Sequence, residues 1–299
     1  MGKKQAAAFV AAMLLLMVFT GFMGDALIEG RALLFSLIGQ SGSDQVLLGK
    51  DGFLFFSETL PDYLGESVDI EAISKEVKAY SDDLKQSGIG FTFVCAPNKN
   101  TIYPEHMPYY TLAGENSLPL LNERLREMGV HVADAYDALI KNKPEGLTYH
   151  RTDSHWNAAG ALLVYRELMN SLGAPHEDYA DAPRTKTVSR GDLIRLYRPL
   201  AVDLVMDYSS EIKRDYETVG LMRSLSDMRI ETLSHANELN LLVLRDSFGE
   251  ALFPYLANNV GRMVFSRQIA LDKQTALDEK VTHVVLVIAQ RDLWKLLAK

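Results

Sequence analysis

The chain holds one cysteine, Cys95, among its 299 residues, so no intrachain disulfide can form. Cys95 lies in the apolar run Phe91-Thr92-Phe93-Val94-Cys95, with no adjacent residue to activate a thiolate, and reads as a buried strand residue. Basic residues are in deficit: 31 Lys and Arg stand against 39 Asp and Glu, a formal charge of -8. Phosphate binding normally needs a basic face, so nucleic acid is not an expected partner. No internal repeat or low-complexity linker divides the chain. The Gly-x-Ser-x-Gly elbow of an ordinary α/β-hydrolase is also missing. Apolar residues still make up 47% and charged residues 23%, enough for a sizeable core.

Long apolar runs are scarce too, with one exception. An uncharged stretch from Ala6 to Gly24 follows the basic Lys3 and Lys4 and precedes the acidic Asp25 and Glu29. A secretory apolar region is about 7–15 residues long and a spanning helix about 17–25, and this stretch fits the second. The expectation is a cytoplasmic tip and transmembrane signal-anchor over 1–25, a juxtamembrane connector over 26–44, and an extracytoplasmic domain over 45–299. The protein would then sit in the cell membrane as a single-pass protein. A cleaved signal peptide is the alternative, since Gly21, Gly24 and Ala26 are small enough for a cleavage site. Either version exports the main domain and overrides the cytosolic inference that so few cysteines would otherwise suggest.

Apolar periodicity then organises the domain. Residues 45–56 place two apolar runs around Asp51-Gly52, a hairpin signal. Helix patterns cover 70–87, 117–128 and 157–172; strand patterns cover 89–96, 130–132, 241–245, 262–266 and 283–289. Strands such as Leu241-Leu242-Val243-Leu244 and Val284-Val285-Leu286-Val287-Ile288 are continuously apolar, as strands covered on both faces are. Alternating β and α patterns predict a three-layer α/β/α domain with a mostly parallel sheet. Ligands in such folds bind beyond the C-terminal ends of the strands.

Two segments carry candidate chemistry. In Leu244-Arg245-Asp246-Ser247-Phe248-Gly249 a buried strand ends in a polar turn that opens a helix. Ser247 sits there as a candidate nucleophile, with amides nearby that could hold an oxyanion. By itself, though, a serine at such a turn is more commonly a helix cap. In Tyr149-His150-Arg151-Thr152-Asp153-Ser154-His155-Trp156-Asn157, Asp153 and His155 are two residues apart, and an extended backbone projects them to the same side. The aspartate can then hold one imidazole nitrogen while the other faces a nucleophile. A chance Asp-x-His in a surface loop would look the same. A metal site is weaker, because no third ligand is nearby in sequence.

Taken together, four blocks resemble the AlgX/AlgJ-type SGNH hydrolase-like family and the related DHHW proteins. They are Gly49-Lys50-Asp51-Gly52-Phe53-Leu54-Phe55, Ala96-Pro97-Asn98-Lys99-Asn100-Thr101-Ile102-Tyr103-Pro104-Glu105, Thr152-Asp153-Ser154-His155-Trp156 and Leu242-Val243-Leu244-Arg245-Asp246-Ser247-Phe248. The resemblance covers the domain from about residue 45 to the end. It implies Ser247 as nucleophile, His155 as base and Asp153 as orienting carboxylate. It also implies O-acetylation of an exported polysaccharide, with the acyl group supplied by a multi-spanning membrane-bound O-acyltransferase and no metal or diffusible cofactor. Ser154 stands where the DHHW motif has a second histidine, and no carbohydrate-binding module is recognisable after the domain in this sequence.

Arg245, Tyr149, Arg151, Asn98, Lys99 and Trp156 flank these segments and are candidates for substrate or supporting contacts. An Asn98 amide could donate to an oxyanion; as a residue type it equally suits a turn. Trp156 could stack on a sugar, although packing against the loop suits it better. Two rivals to the transferase remain open: a carbohydrate acetylesterase using the same triad with water as acceptor, and a non-catalytic scaffold of a polysaccharide-modification complex.

Overall fold

The computed structural model describes residues 18–31, 44–66, 69–114, 116–201 and 205–298. Among the described residues ten strands run in order: β1 (Val46–Leu48), β2 (Leu54–Phe56), β3 (Gly90–Ala96), β4 (Arg184–Ser189), β5 (Val205–Ser210), β6 (Glu217–Val219), β7 (Arg229–Leu233), β8 (Asn240–Arg245), β9 (Arg262–Ser266) and β10 (His283–Ala289). The central sheet has the order β3-β10-β8-β9-β7-β6. Its first four strands are mutually parallel, and β7 and β6 join antiparallel at the far edge. The sheet is mixed: mostly parallel, as the sequence suggests, with antiparallel pairing confined to the β7–β6 edge. The edge pair lies in a stretch whose polar residues gave no apolar strand run.

The strands' period of two separates two cores. Val94 and Ala96 of β3, Val243 of β8 and Val285 and Val287 of β10 pack on one face. Phe93 and Cys95, Leu242 and Leu244, and Val284, Leu286 and Ile288 pack on the other. The first face is covered by α3 (Ala135–Asn142), α4 (Ala158–Leu172) and α6 (Phe253–Asn259). The second is covered by α1 (Ile70–Gln86), α2 (Ser117–Glu127) and α7 (Lys273–Asp278). This is the expected three-layer arrangement, and fully burying each Leu, Ile or Val contributes about 1.5–3 kcal/mol. Several of these helices start on side-chain caps: Asp69 accepts from the Ala72 amide, Asn157 from Gly160. Cys95 is buried in β3, and burial raises its thiol well above the usual range.

Residues 45–56 form the expected hairpin, β1 against β2, with Asp51 and Gly52 at φ 55° and 77° in the turn. Positive φ at two successive turn positions is what an Asp-Gly pair supplies. The hairpin packs Val46 and Leu54 against Leu193, Ile194 and Tyr197 of a short helix, α5 (Asp192–Tyr197), which is carried between β4 and β5. Residues 130–132 are not a strand; Val132 makes a single bridge to Phe93. The expected membrane helix lies mostly outside the described residues: a helix covers 18–31, and nothing described is long and apolar enough to cross a membrane. That helix meets the domain where Glu29 accepts from Arg198 at 2.7 Å and from the Leu200 amide at 3.3 Å.

Candidate active site

Strands β3, β10 and β8 are parallel neighbours, so their C-terminal ends bring three short segments together: Asn98 and Lys99, Gln290 and Arg291, and Asp246 and Ser247. Side-chain bonds lock this edge. Asp246 accepts from the Ala289 amide at 2.6 Å and from the Phe248 amide at 2.8 Å, while its own amide donates to Val287 at 3.2 Å. Gln290 accepts from the Asn98 amide at 2.9 Å. Burial raises the Asp246 carboxyl against the pull of its two amide donors. Ser247 opens a 3-10 helix, Ser247–Leu252, that runs on into α6.

The base approaches from the loop before α4. His155 Nε2 lies 2.8 Å from Ser247 Oγ, and His155 Nδ1 lies 2.7 Å from Asp153 Oδ1. The tautomer with Nδ1 protonated fits both contacts, donating to the carboxylate and leaving Nε2 to accept from the serine. Asp153 also accepts from the His155 amide at 2.9 Å and, through Oδ2, from the Asp192 amide at 2.9 Å. Burial pushes the Asp153 carboxyl up, but these bonds and the imidazole outweigh it and hold it far below the usual carboxylate range. Phe248 packs against the imidazole at 4.7 Å and meets Trp156 edge-on at 5.0 Å.

Two buried cations brace the two sides. Lys99 is 4% exposed and donates to the carbonyls of His150, Arg151 and Asp153 at 3.1, 3.0 and 2.7 Å. Each ammonium proton thus has an acceptor, and the three acceptors come from the catalytic loop. Burial lowers Lys99 to about 7, opposed by the nearby Asp153 and Asp192. Arg245 is wholly buried and ties the end of β8 to the Leu225 and Asp227 carbonyls and to Glu250. Its aliphatic stem explains Gly249: a Cβ there would lie 2.7 Å from that of Arg245.

The other candidates fall in different places. The Tyr149 hydroxyl donates to Pro97 at 2.7 Å from a fully buried position, so it joins the catalytic loop to the end of β3. Trp156 is 2% exposed and packs the loop; it presents no face to a sugar. Arg151 offers its carbonyl to Lys99 and to the Leu54 amide, and its guanidinium lies 5.9 Å over Phe53. Asn98 joins a buried network in which Asp62 accepts from Gln290 at 2.6 Å, from Ser117 at 2.6 Å and from Asn98 at 3.4 Å. Its amide is directed to Asp62. The Phe248 amide is also committed, to Asp246, so an oxyanion near Ser247 would need other amide donors.

Sequence reasoning missed Asp192 and Arg291. Asp192 accepts from the Ser154 amide at 2.7 Å and from the Ser154 hydroxyl at 2.5 Å, with its Oδ2 3.5 Å from His155 Nδ1. Its only sequence signal is Gly191-Asp192 before a short apolar helix, 39 residues from Asp153. Arg291 places its guanidinium 5.3 Å over Phe248, the residue after Ser247, and 5.5 Å over Phe56. Asp153, His155 and Asp192 could also hold a metal ion by spacing, with one ligand atom each within 4.8 Å. Ligation through Nδ1 would replace the bond that orients the imidazole toward Ser247, and the hydrogen-bonded arrangement is the better fit.

This geometry can be set beside known proteins. The family profile described as "SGNH hydrolase-like domain, acetyltransferase AlgX" matches residues 46–264. A probable alginate O-acetylase AlgJ of Pseudomonas aeruginosa is 26% identical over 168 residues, 51% of this chain and 41% of that protein. Its counterpart in Pseudomonas fluorescens is 27% identical over 169 residues, 53% of this chain and 42% of that protein. The chain thus spans about two fifths of the length of these curated relatives. Among solved structures, Bacillus cereus PatB1 superposes with a TM-score of 0.60 at 17% identity, over 84% of this chain and 97% of that one. The O-acetyltransferase domain of Pseudomonas putida AlgJ gives 0.55 at 17%, over 83% and 91%. A DHHW family protein from Eubacterium siraeum gives 0.59 at 15%, over 85% and 95%. At these identities the solved structures establish the fold: SGNH-hydrolase-like, with a mixed sheet.

Proposed function

The chain belongs to the AlgX-type SGNH hydrolase-like family, and from that premise we propose that it is an O-acetyltransferase acting through Ser247 on a hydroxyl of an exported polysaccharide. The observation that carries the reading is the contact chain from Ser247 Oγ to His155 Nε2, 2.8 Å, and from His155 Nδ1 to Asp153, 2.7 Å. His155 takes the Ser247 proton as the hydroxyl attacks the acyl carbonyl, and Asp153 stabilises the imidazolium that forms. The collapsing tetrahedral intermediate expels the donor's leaving group, which takes that proton. An acyl-serine remains. A sugar hydroxyl then repeats the sequence in reverse: His155 accepts its proton, the sugar oxygen attacks the ester, and Ser247 leaves with the proton returned.

We extend the proposal to the setting. The uncharged stretch from Ala6 to Gly24 supports a membrane anchor with the domain outside the cytoplasm, as the sequence suggests. A multi-spanning membrane-bound O-acyltransferase is the acyl source the family resemblance favours. The imidazole keeps 27% of its side-chain surface exposed, so water can reach the acyl-serine and hydrolysis is the competing outcome.

The test uses the full chain with a chromogenic acetyl ester, and compares wild type with Ser247→Ala by turnover and by intact mass, with and without a glycan acceptor. A mass gain of one acetyl group that needs Ser247, and transfer that needs the acceptor, is the expected result. Acetyl release that ignores the acceptor would make the protein an esterase. Ester turnover unchanged by the substitution would overturn the nucleophile. Acetylation of the polysaccharide that survives Ser247→Ala but not deletion of the protein would mark a scaffold.

A further inference from the structure

Asp192 has no part in the triad as the sequence describes it, yet the helix start that carries it is bonded to the catalytic loop. Four contacts join them. The Asp192 amide donates to Asp153 Oδ2 at 2.9 Å, and the Ile194 amide donates to the Thr152 carbonyl at 3.1 Å. The two Asp192 carboxylate oxygens take the amide and the hydroxyl of Ser154 at 2.7 and 2.5 Å. Gly191 permits this approach, since a Cβ there would sit 2.2 Å from the Thr152 carbonyl oxygen. The result is a second carboxylate whose Oδ2 lies 3.5 Å from His155 Nδ1, behind the 2.7 Å contact of Asp153.

We propose that Asp192 is a positioning residue for the reaction: its carboxylate, held by Ser154, is a second counter-charge that stabilises the His155 imidazolium. The proposal rests on the acyl-transfer reading for its effect on rate, but not for its effect on the imidazole. A negative charge at this distance favours the charged imidazole in the ground state and in both proton-transfer steps. The other charged and titratable groups around the ring are few. Asp153 bonds it directly, and Lys99 is bonded to the Asp153 carbonyl. His150, lowered chiefly by burial, faces it from the same loop beside Asp207 of β5. Arg291 lies across Phe248. All of these stay in place when only Asp192 loses its charge. Ser154, which stands where the DHHW motif has a histidine, acquires a use: its hydroxyl fixes Asp192 rather than serving the substrate.

The experiment follows His155 by NMR of the labelled imidazole in the full chain, for wild type, Asp192→Asn and Ser154→Ala, alongside the pH dependence of kcat/KM. Asp192→Asn should lower the His155 titration, and with it the acid limb of kcat/KM, by about one pH unit. Ser154→Ala keeps the charge and the amide bond to Oδ1 but frees Oδ2, the oxygen nearest the ring, and should move both in the same direction by less. A folded Asp192→Asn protein with an unshifted His155 titration would overturn the proposal, even if kcat falls, because a merely structural brace changes rate without moving the titration. If Asp192→Asn fails to fold, an unshifted titration in Ser154→Ala overturns it instead. Ser247→Ala separates the two readings. Undiminished ester turnover there would remove the acyl-transfer mechanism, while the imidazole titration would still decide the role of Asp192.

Discussion

Ser247 and His155 meet from two regions built in different ways. Ser247 comes one residue after Asp246, which follows the last residue of β8, a strand buried on both faces and laddered to β10 and β9. Its position is set by backbone register, with Asp246 as a cap across the strand ends. His155 belongs to no strand of the sheet. It hangs on a loop held by single side chains, Lys99 on three carbonyls, Tyr149 on Pro97 and Asp192 on Ser154, and by the main-chain amide of Leu54 in β2 on Arg151. The nucleophile is thus placed by a cooperative sheet, and the base by separable polar clamps. Substitutions around Ser247 should act first on stability, and substitutions around His155 first on catalysis.

The largest effect tests the point where the regions meet. Ser247→Ala should cut kcat by about 10⁴-fold or more while the melting temperature stays close to wild type, because the serine packs no core. Steady-state turnover and calorimetry check both halves of that statement. The contrast between regions is sharper in the two buried cations. Lys99→Met leaves three loop carbonyls without their donor but also removes a costly buried charge, so stability should change by no more than about 2 kcal/mol. With the loop loosened, kcat should fall by about 10²-fold. Arg245→Met should do the reverse: a stability loss of about 2–3 kcal/mol, since Leu225 and Glu250 lose their partner, with kcat reduced less than tenfold. Denaturation and kinetics on the same two variants decide it. A larger kcat loss in Arg245→Met than in Lys99→Met would break the comparison.

The same division governs what could be read from the sequence. The apolar runs of β3, β8 and β10 announced a covered sheet, because a strand buried on both faces must be apolar throughout. Asp153 and His155 were legible because the orienter and the base stand two residues apart in one loop, although residues 151–155 are bent rather than extended. The antiparallel edge was not legible: the buried Ile230 and Thr232 of β7 alternate with the polar Arg229 and Glu231, and no apolar run forms. Nor was Asp192, whose partners are far off in sequence and whose role depends on how α5 packs beneath the hairpin. The work of Lys99 was hidden likewise, since its acceptors are main-chain carbonyls, which no sequence pattern marks.

A smaller effect concerns pH. Asp153 sits far below the usual carboxylate range in the fold, against about 3.9 in an unfolded chain. A carboxylate lowered by folding contributes stability that is complete above the unfolded value and is lost as pH falls toward the folded one. Wild type should therefore lose about 1 kcal/mol more than Asp153→Asn between pH 5 and pH 3. Urea denaturation at the two pH values measures the difference. Asp62 and Asp246, which burial shifts the other way, are common to both proteins and cancel.

The smallest effect falls on the tie between the regions. Tyr149 is wholly buried, lies 6.5 Å from Phe248 of the nucleophile turn, and donates to Pro97 at the end of β3. Tyr149→Phe keeps the ring and its packing and deletes one hydrogen bond, leaving a buried carbonyl unpaired at a cost of about 1–2 kcal/mol. If the loop is held by separable clamps, Lys99 and Asp192 still fix His155, and kcat should stay within about threefold of wild type, equivalent to less than 1 kcal/mol of barrier. A kcat loss matching that of Lys99→Met would mean instead that the clamps act as one unit. The loop would then be as cooperative as the sheet, and the two halves of the site would differ in composition but not in kind.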